Sequence, residues 1–161
     1  MSLKLIKSEN LNPSFQIELT GHQKELIIES FGQFEPTIQH SCKGFFERLV
    51  IVEPELGTKF SDGTTVHSDK LATVIQIAVI SVKNLDSLMP MLTLLGSEYH
   101  SYGARPEYYA IFGDVLLWTI EQALGDAYTE EVNEAWATLY GIISEMMMNS
   151  GHTGATHSPA N

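Results

Sequence analysis

Few side chains in this sequence are of a type that could do chemistry, and their spacing sorts them quickly. Cys42 is the single cysteine among 161 residues. A thiol becomes a nucleophile when a base or positive field lowers its pKa, and Cys42 lies in an ordinary helical stretch without one. No Ser-His-Asp or Cys-His arrangement is visible, so no catalytic residue is assigned. His152 and His157 lie near the C-terminal end without companion ligands at zinc spacing. His67 is set differently. It recurs with Leu71, Val74 and Ala78 at intervals of four, three and four residues, so one helix face carries an imidazole at the head of an apolar stripe. Such an imidazole can ligate a metal, hydrogen-bond a small ligand, or stand at the surface as an ordinary polar residue.

The elements that would position it read as helices. Thr20 with Gln23 forms a capping-box pattern ahead of Leu26, Ile27 and Phe31. Pro36 interrupts or opens the next segment, whose apolar face is Phe45, Phe46, Leu49 and Val50. Pro54 begins a short piece ending at Phe60. Ser61-Asp62-Gly63-Thr64-Thr65 is a turn with hydroxyls that can cap the His67 helix. Asn84 can cap a further helix, with Pro90 tolerated near its start and Gly96 and Gly103 flanking its end. Pro106-Glu107 opens a helix through Ile111, Val115, Leu116 and Trp118 that stops at Gly125. Thr129 caps the last helix, with Val132, Trp136, Leu139, Tyr140 and Ile143 as its buried stripe. The β-branched runs 49–52 and 79–82 have neighbours at helical spacing, so the expected fold class is all-α.

At 161 residues and 43% hydrophobic, the chain can bury one core and is too short for two. Residues 20–148 are expected to form that domain. Residues 1–19, with Leu3, Leu5, Ile6, Phe15 and Ile17, read as an N-terminal extension, and the small polar residues 149–161 as a flexible tail. A formal net charge of −11 argues against a phosphate-backbone partner. No apolar run approaches the roughly 18 residues of a membrane span, and charge breaks Met1–Lys7 too soon for a signal peptide. The lone cysteine fits a reducing compartment. A soluble, cytoplasmic protein that binds neither nucleic acid nor membrane is expected.

Particular residues carry a resemblance. Phe46-Glu47-Arg48-Leu49, then Glu53-Pro54-Glu55-Leu56 and Phe60, look like the second helix and its corner in neuroglobins and bacterial single-domain globins. His67-Ser68-Asp69-Lys70-Leu71 follows at the spacing those bacterial proteins use for their distal residue. Asn84-Leu85-Asp86-Ser87-Leu88 and Leu95-Gly96 are similar to the approach to the haem-proximal site. Arg105-Pro106-Glu107-Tyr108-Tyr109, Leu116-Leu117-Trp118-Thr119, Leu124-Gly125-Asp126-Ala127, Ala135-Trp136 and Tyr140-Gly141 are similar to the final two helices. The resemblance spans residues 20–148 and implies a globin fold, about seven helices around a haem-type pocket. It implies that Phe60 packs on the haem face and that Phe46 crowds the bound ligand. His67 takes the distal position, and Lys70 can pair with a haem propionate. Leu71, Val74, Leu95, Ala104, Tyr109, Tyr140 and Ile143 would line the porphyrin with them.

The proximal position departs from the family. There a histidine lies seven residues before the proline that opens the next helix. Counting back from Pro106 gives Tyr99, counting forward from Leu95-Gly96 gives Tyr99 again, and His100 is its neighbour. Successive helical residues are rotated by about 100°, so one regular helix cannot aim both at the same point. Three readings stay open. The backbone slips by one residue through a bulge or loop and His100 binds iron. Alternatively Tyr99 binds as phenolate, a known haem ligation. In the third, no haem binds.

The resemblance therefore implies a haem b protein that binds oxygen, nitric oxide or carbon monoxide for sensing, storage, transport or detoxification. The alternative is a haem-free, globin-like sensory or protein-interaction domain. Phe46 and His67 depart from the tyrosine and glutamine typical of flavohaemoglobins, which weakens a nitric-oxide dioxygenase reading. An enzyme is not expected, and peroxidase-like chemistry would be a side activity of bound haem. By analogy, pairing through the last two helices would give a homodimer.

Overall fold

Thr20 opens the first helix as its sequence predicts. Its Oγ1 accepts from the Gln23 amide at 3.0 Å, while the Gln23 side-chain oxygen accepts from the Thr20 amide at 3.0 Å, so two otherwise orphaned donors are satisfied. Thr129 does the same for the last helix, accepting from the Val132 amide at 3.2 Å. Proline in the first turn begins two others, at Pro54 and Pro106, where its missing N–H costs nothing. The computed structural model describes residues 17–60, 64–101 and 105–157, and their side chains apart from Thr64, Tyr99, Ser101 and 150–157. Residues 1–16, Ser61–Gly63, Gly103 and Ala104, which the sequence reading included, lie outside the described residues.

Among the described residues there are seven α-helices and no strand, in keeping with an all-α chain. They are α1 (Gly21–Phe34), α2 (Ile38–Val52), α3 (Pro54–Thr58), α4 (Thr64–Ile80), α5 (Met89–Ser101), α6 (Pro106–Leu124) and α7 (Glu130–His157). Two details differ from expectation. Asn84 gives no side-chain cap; it precedes a 3-10 turn, Leu85–Leu88, and α5 begins only at Met89. Val50, expected on the buried face of α2, is 45% exposed, whereas Leu49 is fully buried, because one helical step turns it to the flank that α3 only partly covers. The helical backbone of α7 also continues past residue 148, where the sequence suggested the domain boundary.

The main core is formed by α1, α2, α4, α6 and α7. Phe31 meets Phe34 edge-on at 5.2 Å, and Phe34 lies 5.9 Å from Trp136, the offset geometries aromatic pairs prefer. The buried indole N–H of Trp136 donates to Ser30 Oγ at 2.9 Å, and that hydroxyl donates to the Leu26 carbonyl at 2.6 Å. One hydroxyl thus satisfies the indole and ties α7 to α1. A second cluster joins Phe45, Phe46, Leu49, Leu56, Phe60, Tyr108 and Val115.

The helices that matter for the site hang from different neighbours. α4 packs mainly on α2, and α5 packs on α7. α4 and α5 make little direct contact with each other.

The α2–α3 corner depends on a close approach at Gly57, where an added Cβ would fall 2.7 Å from the Val50 Cα. Gly57→Ala should therefore cost about 1–3 kcal/mol in urea unfolding, as overpacking against backbone does. Gly44 lies inside α2 with open space around it, so Gly44→Ala should instead stabilise by up to about 1 kcal/mol. Equal effects at the two positions would contradict the close-approach account.

Candidate functional site

Between α4 on one side and α5, α6 and α7 on the other lies a cleft with about 1070 Å³ of empty space counted to its open mouth. Its end toward α2 and α3 is closed by aromatic rings. Phe45 and Phe46 meet edge-on at 4.9 Å, Phe46 and Phe60 lie 5.4 Å apart, and Phe45 stacks on Phe112 at 5.9 Å. The remaining wall is mostly apolar, with aliphatic residues such as Leu71, Val74 and Ile143 joined by the rings of Tyr109, Trp136 and Tyr140. An open cleft with so apolar a lining suits an apolar guest.

His67 projects from α4 into this cleft. Its ring stands edge-to-face on Phe60 at 5.0 Å and lies 6.0 Å from Phe46. Neither ring nitrogen has a hydrogen-bond partner among the described residues, so the imidazole is held by packing while its lone pair and N–H remain available. That is the arrangement of a ligand to a metal or to a small bound molecule.

Charge is confined to the mouth. Lys70 Nζ lies 3.2 and 3.3 Å from the two Glu98 carboxylate oxygens, bridging α4 to α5. Both side chains are substantially exposed, at 43% and 37%, so the pair adds little stability and can exchange partners cheaply. On the opposite wall the Tyr140 hydroxyl donates to the Tyr109 carbonyl at 2.7 Å, pinning α7 to α6. Gly113 makes room for that ring, since a Cβ there would meet Tyr140 at 2.8 Å. Burial pushes the Tyr109 phenol upward, which keeps it protonated at neutral pH.

Phe46, Phe60, His67, Lys70, Leu71, Val74, Leu95, Tyr109, Tyr140 and Ile143, singled out from sequence, all line this one cleft. Ala104 lies outside the described residues. The sequence reading missed Ile75, Phe112, Met147 and Glu98, and gave Phe45, Ala78, Leu116, Trp136 and Leu139 only as parts of apolar stripes; all of these line the cleft too. Most continue those stripes at helical spacing and were within reach of the same periodicity. Glu98 was not, because its partner Lys70 is 28 residues away.

His100 is the exception. Its side chain is exposed and does not contribute to the cleft wall. α5 is an unbroken α-helix from Met89 to Ser101, so the one-residue slip that would deliver His100 is not made. His100 therefore stands outside the cleft wall in this structure. Position 99 follows Leu95 by one helical turn, in the register of the buried Leu92, Leu95 and Gly96; the Tyr99 side chain itself is outside the description.

Comparison with known proteins places these features in a lineage. The family profile described as Globin matches residues 41–147. The chain is 33% identical over 113 residues to a flavohemoprotein of Rhizobium meliloti, covering 68% of this chain and 27% of that protein. It thus spans about a quarter of the flavohemoproteins it matches. It is 29% identical over 155 residues to neuroglobin of Danio rerio, covering 87% of this chain and 97% of the relative. A bacterial globin from Campylobacter jejuni superposes with a TM-score of 0.77 at 20% identity, over 85% of this chain and 99% of the other. A hexacoordinated heme protein from an anhydrobiotic tardigrade superposes with a TM-score of 0.75 at 19% identity, over 84% and 97%.

Cys42 takes no part in the cleft. It is 1% exposed, and burial, with a smaller contribution from Asp69, pushes its thiol from 9.0 up to about 12. Ellman's reagent at pH 8 should therefore label the folded protein far more slowly than the denatured chain, because three pKa units remove about a thousandfold of thiolate. Between pH 9 and 12 the unfolded chain binds fewer protons than the folded one, so the thiol's contribution to stability is present below pH 9 and is lost across that window. Rapid labelling of the folded state would refute this placement.

Proposed function

This chain belongs to the globin family, and on that premise we propose that it binds haem b between α4 and α5 and takes up a diatomic gas there. The observation that carries this reading is the His67 imidazole, held by Phe60 and Phe46 and facing a large apolar cleft with a lysine at its mouth. A porphyrin is a flat apolar body with an acidic edge, and the residues present fit it. Haem supplies an iron centre with affinity for oxygen, nitric oxide and carbon monoxide.

The chain's own residues do the rest. Phe46, Phe60, Leu71, Val74, Leu95, Tyr109, Tyr140 and Ile143 would enclose the macrocycle and exclude water. Lys70 would exchange Glu98 for a propionate. His67 would act directly at the iron side of the pocket, as ligand or as hydrogen-bond partner of the gas. Sensing, storage, transport or detoxification of that gas in the cytoplasm follows as the role. The acidic surface and the absence of any helix, among the described residues, long and apolar enough to cross a membrane favour no nucleic-acid or membrane partner. Pairing of two copies through the last two helices completes the proposal.

One observation favours a second reading, a haem-free sensory or interaction domain. A tyrosine holds the proximal register, and His100 lies on the exposed face of α5. Titration of the purified protein with haemin separates the two. A saturable Soret band at one equivalent is the expected result, and a preparation that stays colourless would leave the second reading standing.

A further inference from the structure

Resting on the haem-binding reading, we infer that Glu98 on α5 sets the selectivity of the cleft. By holding Lys70 it neutralises the mouth and disfavours guests with a carboxylate-bearing edge. Among the described residues that line the cleft, Lys70 is the single lysine or arginine and Glu98 the single acid. They stand on opposite walls, with Lys70 Nζ 3.2 and 3.3 Å from the two carboxylate oxygens. A lysine that already carries a carboxylate offers an incoming anion an exchange of partners and little net attraction.

Arg105, at the head of α6, is engaged elsewhere. Its guanidinium lies over the Tyr108 ring at 4.8 Å, donates to the Tyr108 hydroxyl at 2.9 Å and pairs with Glu107 at 3.4 Å. Tyr108 is buried in the cluster with Leu56 and Phe60, behind the cleft wall. The lining is otherwise apolar, and the whole chain carries a formal net charge of −11. A guest is therefore drawn in by its apolar body and resisted at its acidic edge.

Haem carries two carboxylates on one edge. To reach Lys70 it has to displace Glu98, which leaves Glu98 and the guest's own carboxylates to share one ammonium. Like charges brought together in this way oppose binding. The chain consequently holds haem less tightly than its apolar walls alone would allow, and a porphyrin with an uncharged edge escapes the penalty. Because the two side chains are 43% and 37% exposed, the result is a graded preference and not exclusion.

The test titrates the full chain with haemin and with haemin dimethyl ester, whose carboxylates are masked, and reads the Soret band. Haemin release is timed by transfer to excess apomyoglobin. Glu98→Gln should bind haemin about three- to tenfold more tightly and release it correspondingly slower, with less than about a twofold change for the ester. That gain should shrink at about 1 M salt, where the screening length falls to about 3 Å. Lys70→Met should weaken haemin binding and spare the ester. Exchanging the pair, Lys70→Glu with Glu98→Lys, should return haemin affinity to the wild-type level. Glu134→Gln removes the same charge from an exposed position on α7 outside the cleft and should leave both guests unaffected. Equal haemin affinity in Glu98→Gln and wild type, or a gain matched by the ester or by Glu134→Gln, would overturn the inference. Uptake of neither guest by any variant overturns instead the haem-binding reading beneath it.

Discussion

Two helices that present apolar faces to one another and do not close determine most of what this structure can do. Packing α4 directly on α5 would bury both stripes at roughly 25 cal/mol per Å². The geometry opposes it, because each is committed elsewhere, α4 to α2 and α5 to α7. The phenylalanines at the α2 and α3 end fill that end of the gap with rings that stack and cross at 4.9–5.9 Å. A cleft of this kind is a property of the frame and does not depend on any single wall residue.

The sequence made the helices legible because their start signals are local. A threonine and a glutamine three residues on, or a proline followed by an acid, act over one turn, and the structure forms the Thr20 cap as written. Most of the cleft was legible for the same reason, since Tyr140 and Ile143 or Leu71 and Val74 repeat at helical spacing. What was hidden is nonlocal. The Lys70–Glu98 pair and the Trp136–Ser30 bond join residues 28 and 106 apart, and no periodicity announces such contacts. Val50 shows the complementary limit, because an apolar residue at the edge of a stripe is buried only if a neighbouring helix reaches it. His100 was the hardest, since its position turns on whether one helix stays regular.

Trp136 connects the two halves of this picture. It forms part of the cleft wall and also of the main core, where Ser30 takes its N–H. A guest touching that ring touches a group held by α1, so the cleft is floored by the main core. The contrast with the mouth is physical. There, α4 and α5 are joined by an exposed ion pair worth little in stability.

The α5–α7 contact carries a mechanical consequence. α6 is pinned to α7 by the Tyr140 hydroxyl, and α4 is held by α2, so α5 is the one wall that leans on a single long helix. Any displacement of α5 by an occupant is therefore received by α7. With 28 residues, α7 has a length of about 42 Å at 1.5 Å per residue. The residues of α7 that pack against α5, Ile143, Met146 and Met147, lie near its middle, so the position of that wall is set by the straightness of one long helix.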